Sequence, residues 1–411
     1  MKGFFQLISS DELLSLLDRF DPLATEQVAT AEGLGRVLAG DIVSPEQLPP
    51  FSRSTMDGYA VRARDTFGCS ESEPALLTVI GEIAMGSPGR ALALQPGRTA
   101  RIWTGGELPE KGDAVVMVEY SHQLDGQTVE IFRPVAPGEN VIRAGEDFEA
   151  GGTVLARGSR LRPQDLGVLS GLGITTIEVF RQPRVAIIST GDELVPPEEQ
   201  PGPGQIRDIN STTLAALVRE AGGIPTCHGI VGDDLAAMQA ACDRALARSD
   251  MVLLSGGSSV GRRDFTLQVL EGIEGGEVLA HGVAIRPGKP TILARAGNRG
   301  LFGLPGHVAS AMVVFYLFVR PLIRRFSGCG ADPGLVRIRA ITDQPIPSAI
   351  GREEYVRVAL TRTADGEPVA TPVYGRSGLL RPLVRADGLL VIGRDVEGLD
   401  AGVTAPVLLL P

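Results

Sequence analysis

The sequence predicts a multidomain α/β-plus-β protein built around a central, doubly wound and mostly parallel α/β domain. Three observations predict it. The chain has 411 residues, more than one ordinary core holds, so two to four domains are expected. Between about residues 183 and 328, short apolar strands alternate with amphipathic helical stretches, the pattern of βαβ units around a parallel sheet. On either side, strand-like runs separated by Gly and Pro turns indicate smaller β-rich pieces, in keeping with 52 glycines and few aromatics.

Residues 11–39 carry helical periodicity: Asp11 is placed to cap the N-terminus, and Leu13, Leu14, Leu16 and Leu17 open an apolar face. Pro45, Pro49 and Pro50 break the pattern. Residues 76–80, 114–119 and 129–132 read as strands of a small β-rich domain that ends at Pro137-Gly138. Beyond the Gly151-Gly152 turn, residues 163–172 read as a helix. In the central block, 184–189 is an apolar strand, Asn210 caps a helix running to Ala221, 224–231 is the next strand and 233–247 a helix. Residues 251–254 form a further strand, 264–270 a helix, and 306–326 one long closing helix. From about 332, residues 335–341, 354–360, 368–372, 389–392 and 404–410 read as strands of a small all-β domain.

Composition narrows the function classes. Hydrophobic content of 43% with 21% charged residues is that of an ordinary globular chain, and no run approaches the ~20 apolar residues a membrane span needs. Asp11 and Glu12 arrive too early for a secretory leader, so the cytoplasm is expected. Cys69, Cys227, Cys242 and Cys329 are scattered with no CxxC pair, which argues against a zinc site or a disulfide framework. With only four dispersed histidines, any metal falls to oxygen ligands, hence a hard cation such as magnesium. A net charge of -10 speaks against nucleic acid as a partner. An anionic substrate would have to be attracted locally, by loop amides, helix N-termini and a few cations.

Several segments carry chemistry. Ser255-Gly256-Gly257-Ser258-Ser259-Val260-Gly261 follows a buried strand and precedes a helix, where glycines let amides approach an anion and the serine hydroxyls add donors. The loop is not a P-loop, because Arg262-Arg263 stand where Gly-Lys-Ser/Thr would end it. Asp264, just beyond, suits either a helix cap or a cation ligand. Thr190-Gly191-Asp192-Glu193-Leu194 ends the first strand of the same sheet and places two carboxylates where α/β sheets bind ligands, a pattern that also suits a solvated acidic turn. Arg286-Pro287-Gly288-Lys289-Pro290 sets two cations in a Pro-fixed turn, which reads as an oxyanion site or as an exposed basic turn. The run 51–61, with Asp57 among hydroxyls and aromatics and no strand or helix period, reads as a binding loop. Its expected partner is Trp103-Thr104-Gly105-Gly106.

Together these segments resemble the molybdopterin molybdenumtransferases, a family that includes the corresponding domain of the scaffold protein gephyrin. The likeness runs through Pro49-Pro50-Phe51, Met56 to Val61, Thr104-Gly105, Asp113 to Val116, Gly145-Glu146-Asp147, Ser189 to Leu194, Ser255 to Asp264, Pro287 to Pro290 and Leu304-Pro305-Gly306, and so spans most of the chain. The resemblance implies a molybdopterin-binding α/β domain at 182–330 and a β-rich lid at 51–137. It further implies an elongated mixed α/β domain from 1–50 with 138–181, and a β-barrel-like domain at 331–411. It implies that adenylylated molybdopterin and molybdate give molybdenum cofactor and AMP with Mg2+ assisting. The same resemblance implies a homodimer whose active site lies between subunits, with transient contacts to the adenylyltransferase and to apo-molybdoenzymes.

Carried over residue by residue, Asp57, Thr104, Asp147, Glu193, Asp264 and Ser377 match positions tied to activity. Glu193 and Asp264 are assigned to the metal or the pterin phosphate, and Ser255, Gly256, Gly257, Ser258, Ser259 and Gly261 to phosphate. Arg286, Lys289 and Ser377 are assigned to molybdate, and Asp57, Thr104 and Asp147 to the opposing wall. The chain departs from the family pattern at Gly282 and Arg286, where lysines are usual, and at His307, where Asn follows Leu-Pro-Gly. Two rival readings stay open: a molybdopterin adenylyltransferase, and a scaffold that binds pterin without turnover.

Overall fold

The computed structural model describes residues 7–256, 265–330 and 334–411. Ser9, rather than Asp11, caps the first helix, Ser10–Leu16, through a reciprocal box: Glu12 N donates to Ser9 Oγ at 3.1 Å, and Ser9 N donates to Glu12 Oε2 at 2.7 Å. The helical periodicity expected over 11–39 stops early. After a 3-10 turn at Leu17–Arg19, Thr25–Ala29 is a strand paired antiparallel with Thr176–Phe180. Leu13, Leu17 and Phe20 were the part of that pattern with a structural cause, since all three are buried against the central domain. Ile42–Val43 pairs with Thr153–Leu155, so the first and third stretches of the chain are stitched together.

The β-rich region forms a six-stranded sheet in the order Ala114–Met117, Gly58–Val61, Arg98–Ile102, Ala75–Ile83, Thr128–Ile131, Ser121–Gln123. Contrary to expectation, the run 51–61 contributes a strand. Gly58–Val61 is interior to that sheet and all four residues are buried, so the alternation that marks a half-exposed strand is missing.

The central sheet runs Ile224–Val231, Arg184–Thr190, Met251–Ser255, Arg299–Leu304, Ile292–Ala296, Gly276–His281. Its first three pairings are parallel and its last two antiparallel. Side chains alternate between two cores. Val185, Ile187 and Leu253 join the helix Asn210–Ala221 and the C-terminal helical run, whereas Ala186, Ile188 and Leu254 join Leu235–Leu246 and Phe265–Glu271. This is the double winding expected. Two details differ. Ile209, not Asn210, is the N-cap of the helix Asn210–Ala221, and the Asp208 carboxylate just before it accepts from Ser211 N at 3.1 Å. The closing helix is Val308–Val314 and Arg320–Phe326 joined by a π turn at Phe315–Val319, just before Pro321, which has no N–H to continue the regular ladder.

The C-terminal domain is a closed five-stranded barrel. Glu353–Arg362 pairs with Pro368–Pro372, then come Arg337–Thr342, Thr404–Leu409 and Gly388–Ile392, which returns to Glu353–Arg362. The short strand Ile285–Arg286 lies parallel to Glu353 and Glu354, joining a turn of the central domain to the barrel. No helix among the described residues is long and apolar enough to cross a membrane.

Candidate functional site

The carboxyl ends of Arg184–Thr190, Met251–Ser255 and Arg299–Leu304 open into a cavity of about 600 Å3, where ligands bind in open α/β sheets. Ser255 and Gly256 are in its wall; Gly257, Ser258, Ser259, Val260, Gly261, Arg262, Arg263 and Asp264 lie outside the described residues. Gly256 has φ +115°, and a Cβ there would stand 2.3 Å from Thr190 O and 2.7 Å from Thr190 Oγ1. Only glycine lets the two strand ends approach so closely. Among the described residues the buried Thr190 hydroxyl has no hydrogen-bond partner, and it stands in the cavity wall.

The two adjacent carboxylates of the acidic turn divide their work. Asp192 Oδ1 accepts from Asp233 N at 2.9 Å and ties two loops together. Glu193 lines the cavity, and its carboxylate lies against Gly191, where a Cβ would stand 2.7 Å from Oε2. Asn210, freed from capping, donates through Nδ2 to Ser255 Oγ at 2.7 Å and to Gly306 O at 2.8 Å. It thereby clamps the loops after two neighbouring strands. Sequence reasoning missed that role and the buried Asp208 beside it, because Asp, Asn and Ser near a helix start all read as caps.

A second cavity, of about 640 Å3, lies between the central domain and the barrel, and His307 and Pro290 line both cavities. Arg286, Lys289 and Ser377 all line it, as the basic turn and the family pattern suggested. Arg286 Nη1 sits 3.0 Å from Glu354 Oε1, in the parallel pairing that brings the turn onto the barrel. Two further cations were missed. Nε of Arg352 and Nη1 of Arg357 are buried without a hydrogen-bond partner among the described residues, and both residues line this cavity. Arg357 Nη2 donates to Gly375 O, and burial lowers the guanidinium below its ordinary value. Both arginines are half-buried, and an anion in the cavity would offset the cost of desolvating those nitrogens. The available signal was charge density, since four of residues 352–357 are charged at the start of a strand.

Asp57 and Thr104 meet as expected: Thr104 N and Oγ1 each donate to Asp57 Oδ1 at 2.7 Å. Asp147 sits on a turn where its amide donates to Leu48 O at 3.0 Å. Neither the pair nor Asp147 lines either cavity. The structure therefore gathers Glu193, Ser255 and Gly256 in one place, Arg286, Lys289 and Ser377 in an adjoining one, and Asp57 with Thr104 in a third.

Comparison with known proteins matches residues 8–173 to the MoeA N-terminal region (domain I and II), 186–325 to a probable molybdopterin binding domain, and 339–410 to the MoeA C-terminal region (domain IV). A molybdopterin molybdenumtransferase of Bacillus subtilis is 35% identical over 390 residues, covering 94% of this chain and 90% of that protein. Molybdopterin molybdenumtransferase 2 of Mycobacterium tuberculosis is 37% identical over 386 residues, covering 91% and 92% respectively. Among solved structures, a molybdopterin biosynthesis MoeA protein from Pyrococcus horikoshii superposes with a TM-score of 0.82 at 33% identity, over 98% of this chain and 100% of that one.

Proposed function

The chain belongs to the MoeA family, and from that premise we propose that it inserts molybdenum into molybdopterin, converting adenylylated molybdopterin and molybdate to molybdenum cofactor and AMP. The observation that carries the reading is the adjacency of two unlike cavities across His307 and Pro290. One presents loop backbone, hydroxyls and a carboxylate at the ends of parallel strands, as a phosphorylated substrate requires. Its neighbour presents guanidinium nitrogens that lack partners among the described residues, as a small oxyanion requires. Matches to the regions flanking the α/β domain count against an adenylyltransferase, whose likeness would be confined to that domain.

In this reading Ser255 and Gly256, with Gly257, Ser258, Ser259 and Gly261 beyond the described residues, receive the pterin phosphate. Arg286, Lys289, Arg352, Arg357 and Ser377 receive molybdate, with the planar guanidiniums matched to oxyanion edges. Breaking the phosphoanhydride places charge on the departing AMP phosphate, and donors already fixed in the wall meet that charge without reorganising.

Magnesium fits the donor set on one condition. Among the described residues no three His, Cys, Asp or Glu side chains gather into a closed cage. The Glu193 carboxylate and the Thr190 hydroxyl, which has no partner among the described residues, instead line a wall sparse in oxygen ligands, which suits a cation that keeps most of its waters and shares substrate phosphate. Glu193 would hold the ion, together with Asp264 on the strength of its sequence position. Bound there, it would neutralise phosphoanhydride charge. Asp57, Thr104 and Asp147, which line neither cavity within one chain, are assigned to the facing wall contributed by a second copy in a homodimer.

One experiment tests the reading. The full chain is supplied with adenylylated molybdopterin, molybdate and Mg2+, and both AMP release and reconstitution of a cofactor-free molybdoenzyme are followed. Pterin binding with no AMP defeats the transferase reading, and ATP consumption with molybdopterin alone favours adenylyl transfer.

A further inference from the structure

Ser377 is tied twice to the start of the helix Val308–Val314. Its carbonyl accepts the Ala309 amide at 3.2 Å, and its hydroxyl lies 2.9 Å from His307 Nδ1. The first amides of a helix have no partner within the helix. Here a residue of the barrel domain supplies one, so the loop around Ser377 is fixed to the central domain at the boundary between the two cavities. The imidazole is held on one side by Gly378, where a Cβ would stand 3.3 Å from His307 Cδ2.

The direction of the His307–Ser377 bond matters to an anion. A serine hydroxyl has one hydrogen. If that hydrogen points to Nδ1, Ser377 turns only lone pairs toward the cavity and repels an oxyanion. If Nδ1 carries a hydrogen and donates to Oγ, the Ser377 hydrogen is left for the anion. We propose that His307 is a positioning residue: it donates through Nδ1 to Ser377, so that Ser377 in turn donates to an oxyanion held among Arg286, Arg352 and Arg357. The proposal rests on reading the second cavity as the molybdate site. It requires a donor at the place of Nδ1, and neither a positive charge nor an aromatic ring will substitute.

That requirement can be tested by side-chain geometry. Asparagine places its amide close to the position of Nδ1, whereas glutamine reaches toward Nε2. Molybdate dissociation constants are measured by calorimetry on the full chain, alongside KM for both substrates. His307→Ala and His307→Gln should weaken molybdate about three- to tenfold, the range expected for one hydrogen bond. His307→Asn should stay within about twofold of wild type, and because His307 also borders the first cavity, the test for the Ala and Gln variants is that molybdate affinity falls more than KM for adenylylated molybdopterin rises. In a Ser377→Ala background, His307→Ala should add nothing, because it acts through the missing hydroxyl. Undiminished molybdate affinity in His307→Ala, equal rescue by Gln and Asn, or full additivity with Ser377→Ala would each overturn the proposal, as would a wild-type chain that does not bind molybdate. Failure to make cofactor while the binding cycle behaves as described sinks the functional reading and leaves the His307 role standing. Normal cofactor formation with a flat binding cycle does the reverse.

Discussion

The Asp57 carboxylate receives two hydrogen bonds from a single residue: the Thr104 amide and the Thr104 hydroxyl both reach Oδ1 at 2.7 Å. The sheet brings them together, since Gly58 pairs with Ile102 and each partner of the contact lies just beyond that register. The Thr104 amide, then its hydroxyl, hold the Asp57 carboxyl below the usual range, with Arg101 adding a smaller pull. Because the folded value is lowered, whatever Asp57 contributes to the fold is present above the unfolded carboxyl pKa of about 3.9 and is lost as pH falls through the depressed value. Asp57 therefore stays anionic across any assay near neutrality.

Thr104→Val isolates the hydroxyl, keeping the amide and the β-branched shape. The Asp57 carboxyl should then titrate at higher pH, part of the way back to an ordinary aspartate, as followed by NMR. AMP release should fall severalfold without loss of fold. A titration curve identical to wild type would mean that the hydroxyl does not govern this carboxylate.

Glu193→Gln keeps the shape of the side chain and removes its charge. If Glu193 helps hold magnesium, AMP release should fall about tenfold or more, the scale on which removing a fixed electrostatic group acts. The magnesium concentration for half-maximal activity should rise with it. Loss of activity with an unchanged magnesium titration would assign Glu193 to substrate instead of metal.

Arg357→Met separates binding from stability. Nη1 of Arg357 is buried without a hydrogen-bond partner among the described residues, while Nη2 serves Gly375 O. Removing a half-buried guanidinium with no ion pair among the described residues relieves part of a desolvation penalty and forfeits one hydrogen bond, so the thermal midpoint should change little. Molybdate affinity should nevertheless drop about tenfold or more, as for a charge-assisted contact. A large loss of Tm with unchanged molybdate binding would make Arg357 structural.

What the sequence disclosed depended on whether the physical cause was local. The doubly wound domain was legible because alternate residues of one strand, Val185 and Ile187 against Ala186 and Ile188, must satisfy two separate cores, and the helices between strands carry the matching periodicity. Pro368–Pro372 was read to its ends because turn residues bound it. Gly58–Val61 was hidden because it is buried on both faces and shows no alternation. Helix capping misled at both Asp11 and Asn210, where neighbouring Ser9 and Asp208 could do the same chemistry and tertiary contacts decided between them. Arg352 and Arg357 escaped because charged residues in a strand ordinarily face water, and only the docking of Arg286 onto Glu354 shows that these face a cavity. The roles of Ser258 and Asp264 stay where the sequence put them, outside the described residues.

Gly256→Ala probes the junction of two strand ends in the wall of the first cavity. The residue has φ +115°, a conformation that costs a side chain on the order of 1 kcal/mol or more before any contact is counted. The added methyl would also stand 2.3 Å from Thr190 O, a backbone atom inside a sheet buried on both faces that has little freedom to retreat. Relief requires the strand ends Arg184–Thr190 and Met251–Ser255 to part, which would widen the cavity wall and strand the Asn210 bonds to Ser255 and Gly306. Denaturant titration should therefore show a loss of about 2–4 kcal/mol, the sum of strain and of displaced buried hydrogen bonds. At temperatures where the variant remains folded, KM for adenylylated molybdopterin should rise more than KM for molybdate, because the displaced atoms belong to the first cavity. An equal rise in both would show that the two cavities do not act as separate sites.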